Sequence, residues 1–239
     1  MSDENHTRAS AGHFLVGRSI YLRSPSIERD VVGGRWHEWF NDQINTKYIS
    51  HGVFPVTMEM QAEYVRAAMS NASTLLLAIV DIQSDEHIGV ISLKNIDLIS
   101  RAAEIGIVMA PGRAAGKTGA IEAMAVLMKH AFSRLNLDML YAGQHEGLWK
   151  WVNTLSLIGF RIDGIRQHAG RRDGISYSVF LTSVLASEFR RLEQQRGGDI
   201  LSPSPLELLR GRPRENPMDL VGRALQGANE QWICDISKK

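Results

Sequence analysis

Apolar residues fall into distinct patterns along the chain, and each predicts a different element. Thr74–Ile82 (TLLLAIVDI) is almost wholly apolar, as expected of a strand buried on both faces. His87–Ile96 and Ala103–Met109 follow at short spacing, the second bounded by Pro111-Gly112, so antiparallel hairpins are the economical connection. Met124, Leu127, Met128, Ala131 and Leu135 then recur on one stripe, which predicts the longest helix over about Thr118–Leu135. Upstream, Gly17–Leu22 predicts a first strand. Ile27–Tyr48 reads as an aromatic helical stretch broken at Asn41-Asp42, and Thr57 is placed to cap a helix reaching about Met69. Downstream, Met139–Gly143 predicts a strand, and Gly147–Ile158 a helix closed by Gly159. Phe160–Ile165 and Ser176–Leu181 complete the set. The expected fold is α/β, with a mixed, mostly antiparallel sheet of about seven strands, helices on both faces and a C-terminal extension.

The pattern changes after Ser183. Four of the seven prolines lie in residues 183–239, and a helix carrying Leu185, Phe189 and Leu192 ends at Gly197-Gly198. Short helices are expected near Leu206–Leu209 and Leu220–Leu225, with Trp232 and Ile233 as anchors. The chain therefore divides into an N-terminal arm (1–14), a main domain (15–198) and an extension (199–239).

Charge narrows the function classes. Basic and acidic side chains number 27 and 26, a net charge of +1, which argues against a nucleic-acid binder. The single cysteine, Cys234, excludes a disulfide scaffold and a Cys-based zinc site and fits a reducing, cytoplasmic setting. The eight histidines show no HxxxH or HxH grouping, so no metal is expected. The polar start lacks a signal-peptide pattern, and the longest apolar run, Leu75–Val80, falls well short of a membrane span, so no membrane partner is expected.

The stretch richest in chemistry joins strand Ala103–Met109 to the long helix through the loop PGRAAGK. Small residues admit close backbone approach, and a helix N-terminus offers unpaired N–H donors and a partial positive charge. Together these make an anion cradle suited to a pyrophosphate, with Arg113 and Lys117 at its rim. The alternative is an ordinary small-residue turn. Gly116-Lys117-Thr118 only partly matches a Walker A loop, because Gly112 lies four residues before Gly116 where that motif needs five.

Trp39-Phe40-Asn41-Asp42, Ala103-Glu104-Ile105-Gly106-Ile107, Glu122-Ala123-Met124 and Ile158-Gly159-Phe160, in this order and spacing, resemble the GNAT superfamily of acyl-CoA-dependent N-acyltransferases. The branch resembled is that of ribosomal-protein alanine and amino-sugar N-acetyltransferases, and the resemblance runs from about Gly17 to Ser183. It implies acetyl-CoA as donor and no metal. It also implies a cofactor-binding segment of Val108, Met109, Arg113, Ala114, Ala115, Gly116, Lys117, Thr118, Gly119 and Ala120. Two registers onto the family's loop motif remain, one through Ala115, Thr118 and Ala120, the other through Arg113, Gly116 and Thr118. The chain departs from the family where an Asn, a Ser or Ala and then a general-acid Tyr precede Gly-Phe: the corresponding positions hold Leu148, Trp151 and Leu155.

An amine nucleophile must lose a proton to attack a thioester. Glu104, on the strand that flanks the acetyl group in the family, is the first candidate base, and His145 the second, with Glu146 a lesser one. Each has an ordinary alternative as a solvated strand or loop residue. Trp39, Asn41, Asp42 and Tyr48 occupy the region that covers the acceptor in the family, and are alternatively a turn beside core aromatics. The expected function is acetyl transfer from acetyl-CoA to a primary amine on a nucleotide-activated amino sugar or similar small molecule. The alternatives are an N-terminal protein acetyltransferase, or a catalytically weak CoA-binding module that recruits a partner through its tail. A homodimer is left open.

Overall fold

The computed structural model describes residues 12–49, 51–112 and 118–237. The chain forms two compact units, one ending at Asn136 and the other beginning at Leu137.

Five strands organise the first unit: β1 (Leu15–Val16), β2 (Ile20–Arg23), β3 (Leu75–Asp81), β4 (His87–Asp97) and β5 (Ala102–Met109). They lie side by side in chain order, every neighbouring pair antiparallel. The predicted first strand is in fact a hairpin. Gly17 and Ile20 close its turn, and a Cβ on Gly17 would lie 2.6 Å from Glu122 Oε1, so only glycine fits there. The predicted aromatic helices shrink to a π-helical turn (Ile27–Val32) and one short helix, α1 (Trp36–Trp39), followed by turns. α2 (Met58–Ser70) begins at Thr57, whose hydroxyl accepts from Met60 N.

Strand alternation gives this sheet two apolar faces. Leu76 and Val90 pack with Trp36, Trp39, Phe40 and Val65 in the cluster beneath α1 and α2. Leu77, Ile79, Ile91, Leu93 and Ile105 point the other way and are equally buried. α3 (Gly119–Ser133) buries Ile121, Met124, Leu127 and Met128, and contacts β1, β2 and β5. Its first turn is fastened to the β1–β2 turn. The Glu122 carboxylate, 1% exposed, accepts from Arg18 N, from Ser19 N at 2.9 Å and from Ser19 Oγ.

The second unit holds β6 (Met139–His145), α4 (Trp149–Leu155), β7 (Arg161–Arg172) and β8 (Ile175–Leu185). β8 pairs antiparallel with both β6 and β7, which brings the described strands to eight where about seven were expected. Gly159 ends the helical segment after α4 at φ +98°, a conformation glycine adopts without strain. The chain continues through α5 (Ala186–Gln195), α6 (Pro205–Arg210) and α7 (Pro217–Ser237). α7 runs 21 residues where one turn or two were expected. Pro217 is tolerated at its start, and Gly222 and Gly227 lie inside it at a modest cost in propensity. Asn153 of α4 holds the segment before α7, donating from Nδ2 to Pro213 O at 3.0 Å and Glu215 O at 2.8 Å. Trp232 and Ile233 do not anchor the end: they are 65% and 63% exposed.

Candidate active site

β5 carries the centre of the candidate site. Glu104 lies directly opposite Lys94 of β4, on the face that also bears Val90 and Val108. After Lys94 the β4–β5 register slips, and Asn95 takes a positive φ of 50°. That irregularity turns the Asn95 amide onto Glu104 Oε2, at 3.2 Å. Lys94 Nζ lies 5.7 Å from the ring centre of Tyr64 on α2. The His51 ring lies tilted against Phe40, with ring centres 4.6 Å apart, and its pKa is lowered by burial and by the charge of Lys94. A half-buried carboxylate, an ammonium, a phenol and a neutral imidazole are thus gathered on one face. Lys94, Tyr64 and His51 were not singled out from sequence. The signal for Lys94 was present as the one charge inside the apolar strand His87–Ile96.

At its other end β5 leads to the helix expected to receive an anion. Val108 packs against the cluster beneath α1 and α2, and Met109 lies opposite Gly89. Residues 113–117 of the expected cradle (Arg113, Ala114, Ala115, Gly116 and Lys117) lie outside the described residues. Thr118 flanks α3 and its side chain caps none of the first-turn N–H groups of Gly119, Ala120 and Ile121. This donor set fits a phosphate.

The four expected acceptor residues are divided. Trp39, Asn41 and Asp42 line a cavity of 830 Å³ together with Arg29, Gly34 and His87, whereas Tyr48 is not on its wall. Trp39 is only 7% exposed, and its ring centre lies 4.8 Å from that of His87. Asn41 is bonded at both amide atoms to the Val56 backbone, and Asp42 accepts from Ile44 N and Asn45 N. Lys47 sits over Tyr48 at 5.2 Å. On the wall of this cavity a buried ion pair joins Arg23 Nη2 to Asp30 Oδ1 at 2.6 Å, with His87 Nδ1 3.5 Å from the same oxygen. Glu104 does not line the cavity; it stands five residues along β5 from Met109, the partner of Gly89.

His145, in the second unit, ends β6. Its Nδ1 accepts from Gly147 N at 2.9 Å, and its ring stacks on Tyr177 at 4.3 Å. Burial lowers its pKa, so the ring is neutral at pH 7. Tyr177 in turn needs Gly170 opposite it, because a Cβ there would lie 2.3 Å from the phenol oxygen. At the positions where the family carries its Asn and Tyr, Leu148 and Trp151 are half-buried and Leu155 is buried, and none can act as an acid. Among the described residues, no three His, Cys, Asp or Glu side chains gather as a metal site would require.

Residues 20–161, more than half of the chain, match the acetyltransferase (GNAT) domain. The chain belongs to the GNAT family. As a GNAT acetyltransferase it uses acetyl-CoA to acetylate an amine. No curated protein matches the chain. Solved GNAT structures do. The spermidine N-acetyltransferase of Vibrio cholerae, in complex with CoA and spermine, is 21% identical with a TM-score of 0.65, covering 72% of this chain and 98% of that one. A GCN5-related N-acetyltransferase from Brucella melitensis is 20% identical with a TM-score of 0.64, covering 82% and 93%. A GNAT acetyltransferase from Bacillus anthracis is 22% identical with a TM-score of 0.62, covering 73% and 99%. At these identities the likeness is one of fold. Among the described residues no helix of this GNAT chain is long and apolar enough to cross a membrane.

Proposed function

We propose that this GNAT chain acetylates the primary amine of a small molecule, a nucleotide-activated amino sugar or a close relative, with Glu104 as the base. The observation that carries the reading is Glu104 itself. It is a half-buried carboxylate on the face beneath α1 and α2, held by one neutral amide, that of Asn95. A general base must be positioned with an oxygen free to take a proton; the Asn95 amide steers one oxygen of this carboxylate and leaves the other for the amine.

Acetyl-CoA supplies the activated acetyl group. The N–H groups at the start of α3 are the donors that suit its phosphates, and Val108 and Met109 lie on the strand leading to them. The amine attacks the thioester carbonyl, Glu104 accepts the proton the amine loses and passes it to solvent, and the C–S bond breaks to release CoA as a thiolate that takes its proton from solvent. Transfer is direct, because the only cysteine, Cys234, lies in the exposed part of α7. His145 is the next candidate base. A second reading, a module that recruits a partner through its tail, draws support from Trp232 and Ile233, large apolar side chains left in solvent on α7.

The test pairs binding with turnover. Glu104→Gln should bind acetyl-CoA as the native chain does, while kcat falls about 100-fold or more, the range a general base contributes. Near-native kcat at pH 7 would move the base elsewhere and make His145→Ala the next variant.

A further inference from the structure

We propose that Lys94 determines which amines this enzyme accepts, by receiving an anionic group, a phosphate or carboxylate, that the acceptor carries near its amine. The inference rests on the reading of Glu104 as the base and deepens it. Lys94 and Glu104 are register partners, so an amine delivered to the Glu104 carboxylate enters the field of the Lys94 ammonium. That ammonium is half-buried, makes no ion pair among the described residues and lies over the face of Tyr64. A charge partly withdrawn from water without an opposite partner is unfavourable unless a ligand supplies one. Glu104, the register partner of Lys94, is an anion on the same face, but the two make no ion pair among the described residues; the pKa of His51 is lowered by burial and by Lys94, Asn95 is neutral, and Tyr64 offers its ring.

The sign of the field separates acceptor classes. A polyamine would bring further positive charge against Lys94, whereas a phosphate beside the amine would complete an ion pair and orient the amine toward Glu104. An ion pair at a partly exposed site changes affinity by up to about fivefold.

Calorimetry in the presence of CoA tests this with a matched pair, glucosamine 6-phosphate and glucosamine, and with spermidine. The native protein should bind the phosphorylated sugar about fivefold more tightly than the plain sugar, and spermidine weakly. Lys94→Gln should equalise the two sugars, and Lys94→Arg should keep the preference. Equal or absent binding of the two sugars by the native protein, or a preference that survives in Lys94→Gln, overturns the proposal. So does a Lys94→Gln variant whose loss falls on CoA affinity instead. If the native protein does not bind CoA at all, the failure lies with the reading of the acetyl-transfer site rather than with Lys94.

Discussion

Acidification should destabilise this GNAT chain through one buried ring. The His87 side chain is 6% exposed, edge-on to Trp36 at 5.4 Å and against Trp39 at 4.8 Å. Burial there lowers its pKa from 6.5 to about 4, with Arg23 acting in the same direction and Asp30 opposing. The folded value lies below the unfolded one, so as pH falls the unfolded chain takes up the proton first. Stability is therefore full above about pH 6.5, declines between 6.5 and 4, and is at its floor below 4. A gap of this size amounts to about 3 kcal/mol. His87→Phe keeps an aromatic ring between the tryptophans and cannot titrate. Urea unfolding followed by fluorescence at pH 7, 5.5 and 4.5 reads the difference between the two proteins, which cancels the carboxylates they share. The native chain should lose about 2–3 kcal/mol more than the variant between pH 7 and 4.5. Parallel losses would show that His87 is solvated in the folded state and refute the reasoning.

Glu122→Ala removes the acceptor of Arg18 N, Ser19 N and Ser19 Oγ in a buried turn, and should cost about 3 kcal/mol, measured as a lower midpoint in thermal or urea unfolding. Trp232, exposed on α7, should account for most of the tryptophan emission that iodide quenches; Trp232→Phe should remove that component, and its persistence would place the ring under cover, on this chain or on a second copy.

Sequence pattern determined the elements of the central strands because their signal is local. The apolar run at 75–81 is a strand at almost its expected bounds, as are His87–Asp97 and Ala102–Met109, and Thr57 and Gly159 stand at the helix ends they were expected to mark. The family was legible too, since its words lie in order along the chain. Partnerships between distant residues were not legible. Nothing in the spacing of Glu122 and Ser19 announces that one fastens the other, and Asn153, which stood near the family's missing acid, proves to hold the segment before α7. Asn41 and Asp42, read as acceptor residues, bond to backbone across a turn, which composition cannot distinguish from a binding surface. The pairing of Lys94 with Glu104 depends on β-register. A shift of one residue would send either side chain to the opposite face, so only the folded ladder decides that this carboxylate and this cation stand together.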